Sequence, residues 1–358
     1  MTLSPAATAM DLGQAKRTAL RFHDELDRAA DHQVIDVLTR FGGPDHGWRG
    51  SHPFGRLQGP DEVAHRFWLP LRQSFRALHR RPDVFFAGAN DADGGATTWV
   101  TSMGHLMGLF DEPWLGITPT GKLTMLRYAQ FDRIEPQGHA EGVAESALFI
   151  DVIGVMQQAG CDPLPPQTGA HHVHPPPRTG DGLRLATTDA DPAEGQATLA
   201  LLNRMIADLD ELNHHENDAG PDTPPADCPP ELLARTWHDD MAWYGPAGIG
   251  SMFTIERYQR QHQYPFRRGL TDKVFNGHVA RVAEGDYAGF FGWPNLTNRA
   301  TGGFLGLPAG DRPADMRVVD IYRRHGDRLA ENWVFIDLLH WLAQQGLDPL
   351  RRLQEDRP

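Results

Sequence analysis

The stretch LFIDVIGVMQQAGCDPL (Leu148–Leu164) returns, little changed, as VFIDLLHWLAQQGLDPL (Val334–Leu350). At a constant offset Phe149, Ile150 and Asp151 become Phe335, Ile336 and Asp337. Gln158, Gly160, Asp162, Pro163 and Leu164 become Gln344, Gly346, Asp348, Pro349 and Leu350. Each copy carries the end of an apolar strand, an acid, a short helical run and a glycine–proline exit. Chance rarely preserves those signals together and in order, so the chain reads as an internal duplication.

The residues leading up to each copy follow one order. In the first half, Ala19, Phe22, Leu26 and Ala30 recur at helical spacing and Val34, Val37 and Leu38 continue it, which predicts helix over 12–39. FGGPDHGWRGSHPFGRLQGP is a Gly/Pro-rich connection. Pro60-Asp61-Glu62 then opens a helix expected to reach about His79, with the acids in the first turn where free amides favour them and Pro70 as a break or kink. Arg76, Arg80 and Arg81 read as its solvated C-terminal end. Strands are predicted over 84–87, 97–107, 123–134 and 143–149, followed by a helix that Gly160 ends.

Residues 162–190 are too rich in proline for a regular element and read as a linker. Beyond it, ATLALLNRMIADLDELNHH is an amphipathic helix and ELLARTWHDD a short helix-like run. A helix over 254–262 meets Pro265, roughly where Pro70 lay, and strands are predicted over 273–283, 287–293, 316–323 and 330–336. WYGPAGIG answers GWRGSHPFG, and Leu305-Gly306-Leu307-Pro308 echoes Leu115-Gly116-Ile117-Thr118-Pro119. The division is therefore a first domain over 12–161, the linker, and a second domain over 191–358, each of α+β type with helices first and a curled antiparallel sheet after.

Composition narrows the partners. Of 358 residues 40% are apolar and 23% charged, with a formal net charge of −13. That charge opposes a polyphosphate surface, so no nucleic-acid partner is expected. No apolar run is long enough to span a bilayer and the N-terminus does not look like a signal peptide, so no membrane partner and a cytoplasmic location are expected. Cys161 and Cys228 form no CxxC pair, which fits a reducing compartment.

LGITPTGK, the strands RYAQFDRIE and GVAESALFID, and the tail GVMQQAG resemble the SnoaL-like polyketide cyclase branch of the NTF2-like superfamily. Gly104-His105 and Leu115 to Lys122 match a segment of the form GxHxGxFLGIPPTGR. Glu145, Asp151, Gly154, Gln158 and Gly160 match the ending GKIxExWxxxDxxGLLxQLG, and Arg328, Leu329, Glu331, Trp333, Asp337, Gln344 and Gly346 match it again. Ala147 and His340 depart from it. The resemblance implies two cone-shaped NTF2-like domains in tandem, each a curved antiparallel sheet with N-terminal helices and a pocket between them. It also implies that the two sheets pair within the chain as a pseudo-dimer, leaving room for a homodimer. The aspartate that such cyclases use as acid and base falls at Leu148 and Val334, which move no proton. Their histidine falls near Gln130 and Asp320.

Several groups are candidates for chemistry. His105 lies on a strand of small and apolar residues; it is a base, an acid or a satisfied core histidine. Asp320 stands alone in RVVDIYRR, and a buried acid there must be paired, hydrogen-bonded or catalytic. Asp151 and Asp337 are either pocket carboxylates or caps of the helices that follow. Glu145 and Glu331 are either a second carboxylate pair or the partners of Arg127 and Arg317. Trp48, Trp68, Trp114, Trp243 and Trp333, with His52 and Tyr244, are either aromatic walls around a ligand or core filling. His171, His172 and His174 sit in the proline-rich segment, where fixed metal ligands are not expected. No GxGxxG follows a strand and no phosphate-binding loop is present, so no cofactor is expected. The leading expectation is a cofactor-independent enzyme doing acid–base chemistry on a small or medium organic metabolite. The alternatives are a non-catalytic small-molecule-binding protein and a pseudo-dimer with one degenerate pocket.

Overall fold

The computed structural model describes residues 11–135, 142–171, 174–185, 191–218 and 228–355, and all statements below concern these. The N-terminal half opens with α1 (Leu12–Arg28), capped by Asp11, whose carboxylate accepts from the Gln14 amide at 3.0 Å. Ala15, Ala19, Phe22 and Leu26 form its buried stripe. The single helix expected over 12–39 is two: the chain leaves helical geometry at Ala29, makes one tight turn, and resumes as α2 (Val34–Gly42). The hairpin β1 (Gly47–Gly50) and β2 (Gly55–Gln58) comes next, then α3 (Pro60–Val63). A wider π turn over Ala64–Trp68 joins α3 to α4 (Leu69–Ser74), just ahead of Pro70, whose missing N–H interrupts the ordinary ladder.

The helix expected to reach His79 stops at Ser74. Phe75–Ala89 is a long strand, β3, with Ala77 at φ +54°, outside any helix. FRALHRR has helix-forming composition, but pairing with β4 (Thr98–Phe110) overrides it. Arg76, Arg80 and Arg81 therefore belong to a strand. β5 (Leu123–Ile134), β6 (Val143–Ile150) and α5 (Val152–Gln158) complete the half. The sheet order is β2-β1-β6-β5-β4-β3, with β1 parallel to β6 and the other pairs antiparallel.

The C-terminal half starts with the long α6 (Pro192–Asp218) and the single turn α7 (Pro230–Leu233). The helix-like reading of ELLARTWHDD ends there: β7 (Trp237–Tyr244) takes its second part and pairs with β8 (Ser251–Phe253). α8 (Ile255–Tyr258), a π turn over Gln259–Gln263 and α9 (Tyr264–Gly269) repeat the interrupted helix, and Pro265 sits early in α9 as Pro70 does in α4. Then follow β9 (Leu270–Phe275), β10 (Ala280–Glu284), β11 (Tyr287–Phe291), β12 (Leu296–Ala300), β13 (Pro313–Met316), β14 (Val318–His325) and β15 (Arg328–Ile336). α10 (Leu338–Gln344) and α11 (Pro349–Glu355) end the described chain.

The second six-stranded sheet runs β10-β11-β14-β15-β7-β8, the order of the first read from the other end, again with one parallel pair, β15 with β7. The long strands β3, β4 and β5 have broken counterparts. β9, β12 and β13 separate from β10, β11 and β14 and form a three-stranded sheet of their own. The strands expected over 273–283 and 316–323 are thus each two, and 296–300 is a strand the sequence did not announce. Backbone irregularities repeat as well. Ala77 and Asp272 are at φ +54° and +52°, Leu115 and Leu305 at +53° and +56°. Side-chain-bearing residues avoid that region, so its recurrence at matching places marks one fold written twice.

Both sheets carry helices on the concave face. Their convex faces pack on each other. Trp99, Met103, Phe131 and Phe149 of the first sheet share one apolar cluster with Tyr287, Phe291, Ile321 and Trp333 of the second. Two carboxylates lock the halves reciprocally. Asp151 caps α5 through the Gly154 amide at 3.0 Å and accepts from the Ala247 amide of the other half at 2.8 Å. Asp337 caps α10 through the His340 amide at 3.3 Å and accepts from the His52 amide of the first half at 3.0 Å. The proline-rich segment docks along this junction: Trp333 Nε1 donates to the Pro175 carbonyl at 3.1 Å, and the Phe85 amide to the Gly182 carbonyl at 2.8 Å.

Candidate functional site

In each sheet, side chains alternate between the concave face, under the helices, and the convex face, against the other half. On β14 the concave positions are Val318, Asp320 and Tyr322. On β15 they are Asn332, Val334 and Ile336. These residues floor a cavity of about 220 Å³ in the C-terminal half. Register puts Asp320 opposite Val334 on one side and Phe290 on the other, with Tyr322 opposite Asn332. α6 roofs the space with Met205, Ile206 and Leu209, and Trp243, Tyr258, His262 and Phe266 wall it.

Asp320 is the polar centre. Asn332 Nδ2 donates to its Oδ1 at 3.2 Å and to the Ile321 carbonyl at 3.1 Å, and the Tyr322 hydroxyl bonds to the same carboxyl. Burial raises its pKa to about 7, and these two donors offset only part of that. No cation contributes. Asp320 as a whole residue is half-buried, as one at the edge of an internal space should be. The tyrosines and histidines around it are neutral at physiological pH. Burial, reinforced by Asp320, lifts the hydroxyls of Tyr258 and Tyr322 well above their ordinary range. Burial pushes His262 down to about 3, and it stacks on Trp243 at 4.3 Å. His278 is also near 3 through burial and Arg281, and stacks on Phe290 at 3.8 Å.

The matching space in the N-terminal half is filled. Gln130, Asp132 and Ser146 occupy the places of Asp320, Tyr322 and Asn332, by the same strand register. Asp132 lies 2.7 Å from His23 Nε2 of α1 and accepts from Ser146 Oγ at 2.6 Å and Gln130 Nε2 at 2.9 Å. Burial alone would raise its pKa, but these partners bring it below the ordinary carboxylate value. Arg80 reaches in from β3, donating to Gln130 at 3.0 Å and pairing with Asp27. Trp48, Trp68 and Trp114 pack with Phe54 and Phe67 and are almost wholly buried there.

Of the residues singled out from sequence, Asp320 and Trp243 meet in the C-terminal cavity. The remainder lie elsewhere. His105 is on the convex face of β4, outside both cones, 3.4 Å from Asp83 in a polar cleft that Asp151 also lines. Asp151 and Asp337 cap helices and clasp the opposite half. Glu145 pairs with Arg49 at 2.7 Å and Glu331 with Arg323 at 2.5 Å, both on the convex side. The partners expected for those acids are engaged otherwise: Arg127 donates to the Tyr244, Gly245 and Val334 carbonyls, and Arg317 pairs with Asp337. Tyr244 and Trp333 stack on each other at 5.5 Å between the sheets, and His52 lies in the loop that Asp337 clasps. Trp48, Trp68 and Trp114 are core. Sequence reasoning passed over Tyr322, Asn332 and Tyr258. A period-2 reading outward from Asp320 would have found Tyr322. Among the described residues, no three His, Cys, Asp or Glu side chains gather as metal ligands, and His172 lies outside them.

The sequence matches no protein-family profile, and no curated protein matches it. Among solved structures, the chain is similar to a SnoaL-like protein from Jannaschia sp. CCS1, at 22% identity over 46% of this chain and 99% of that one, with a TM-score of 0.34. It is similar to TsrD from Streptomyces laurentii at 21% identity over 44% and 98%, TM-score 0.31. An NTF2-like protein from Burkholderia xenovorans LB400 matches at 14% over 42% and 97%, TM-score 0.30. The α+β class, with two sheets of one topology each covered by helices, rests on the strand order above. Among the described residues no helix is long and apolar enough to cross a membrane.

Proposed function

We propose that the C-terminal cavity binds a small organic metabolite and that Asp320 moves a proton on it. The observation that carries this reading is the Asp320 carboxyl itself: it stands in an aromatic cavity without a cationic partner, held by Asn332 and Tyr322. Such a carboxyl exchanges protons near neutral pH, where a general acid or base works best. Tyr258 remains protonated and supplies a hydroxyl donor to oxygen on the ligand, while Asn332 and Tyr322 fix the carboxyl's orientation. Isomerisation, dehydration, hydrolysis and ring closure are all proton-transfer reactions of this kind, and none requires a cofactor.

A binding protein without turnover is the second reading. It is favoured by the two histidines of the wall, His262 and His278, which burial holds neutral and so unable to act as proton donors near neutral pH. The two readings separate in one experiment. The protein is purified from its own host and analysed by native mass spectrometry for a retained ligand. The ligand is then incubated with wild type and with Asp320→Asn. Conversion by wild type that the variant lacks supports the enzyme. Equal conversion by both removes Asp320 from the chemistry, and retention without conversion leaves a binder.

A further inference from the structure

The charge on the cavity wall constrains what fits inside. Among the described residues no lysine or arginine lines it, and its charged side chains are Asp320 on the floor and Asp210 on α6. Two cations act on wall residues without being part of the lining: Arg267 acts on Tyr258 and donates to the Leu212 carbonyl at 3.4 Å, and Arg281 acts on His278, with its Nη2 3.0 Å from His278 Nδ1. The other polar wall groups are neutral. An anionic ligand would meet an uncompensated carboxylate in a low-dielectric space and be repelled. A neutral ligand would gain only apolar burial and hydrogen bonds. A cation would gain an ion pair with a carboxylate that lacks one, together with the negative faces of the surrounding rings.

We infer that the ligand of this cavity is a small organic cation, a protonated or quaternary amine on an apolar ring-bearing frame, with its nitrogen at Asp320 and its frame among Trp243, Tyr258, Phe266 and Phe290. The inference rests on the reading of this cavity as the ligand site, and adds the charge of the ligand. Trp237 and Tyr322 extend the aromatic lining. The cavity volume suits a frame of one or two rings.

Three probes of nearly one shape test it on the full chain, by calorimetry on the alkaline side of neutral: benzylamine, benzyl alcohol and benzoate. Benzylamine is expected to bind about tenfold tighter than benzyl alcohol, with no detectable heat from benzoate. Asp320→Asn should erase the preference for the amine and keep the weak binding of the alcohol. Leu209→Lys, which places a cation on the roof without touching the floor, should lose benzylamine and admit benzoate. Benzoate binding as tightly as benzylamine, or benzylamine no better than the alcohol, would overturn the charge inference and leave the cavity as a binding site. Silence from all three probes would contradict both readings.

Discussion

The two cones share a topology and differ in where each keeps its acid. In the N-terminal cone the acid is Asp132, with Gln130 two residues earlier. In the C-terminal cone the acid is Asp320, at the place of Gln130, and Tyr322 stands at the place of Asp132. That two-residue exchange keeps both side chains on the concave face and changes everything around them. Asp132 has an imidazole, a hydroxyl and an amide on it, and Arg80 of an unbroken β3 plugs the space in front. In the other half the corresponding strand breaks after Phe275, its Arg281 turns to Asn203 of α6 and to His278 and does not line the space, α6 offers methionine, isoleucine, leucine and Asp210 where α1 offers His23, and a cavity remains. One scaffold stands twice in the chain; the two differ in which concave residue is acidic and what stands opposite it.

The largest expected effect separates the two acids by activity. Asp320→Asn should lower turnover of the native ligand by about a hundredfold or more, and Asp132→Asn should leave turnover per folded molecule unchanged. Steady-state kinetics on both variants checks this, and a reversed result would move the active half. Stability should show the opposite contrast. Breaking the buried His23–Asp132 pair from either side should cost about 3 kcal/mol in urea unfolding, because one buried polar group is left without its partner.

The third expectation concerns pH, where the acids should act with opposite sign. Asp320 has a folded pKa near 7 against 3.8 for the free group. Its protonated form is favoured by folding, so the stability it contributes is full below the unfolded value and is lost as pH rises through 7, at up to about 1.4 kcal/mol per pH unit. Asp132 has its pKa lowered, so its contribution is present above the unfolded value and is lost as pH falls through the folded one. Thermal melts across that range should lose the first slope in Asp320→Asn and the second in Asp132→Asn. Smallest and most alike should be the two clasps. Asp151→Ala and Asp337→Ala each remove a helix cap and a bond to the opposite half, and each should cost about 1–2 kcal/mol. Strongly unequal costs would break the reciprocity of the junction.

The duplication was legible because both copies need the same backbone. Asp151 and Asp337 cap equivalent helices, and Gly160 and Gly346 leave them at φ +79° and +82°, where a side chain is strained. Asp320 was legible as an acid in an otherwise apolar strand. The face of His105 was not. β4 is covered by helices on one side and, over its first part, by the other half on the second, so the residues around His105 are apolar or small on both faces and the alternation that reports facing is erased. The strand breaks were hidden for a related reason: 273–283 holds only Gly277 as a weak signal, and the separation into a third sheet is set by pairing among β9, β12 and β13. Tryptophans announce burial without saying against what, so Trp48 and Trp243 looked alike although one is sealed in core and the other walls a cavity.

The most direct test of Asp320 as a lone carboxyl in an apolar cavity needs no ligand. Carboxyl-carbon NMR on protein labelled with carbon-13 at aspartate, with Asp320→Asn to assign the resonance, gives its titration midpoint. A midpoint near 7 is expected, and one near the ordinary aspartate value of about 4 would contradict it.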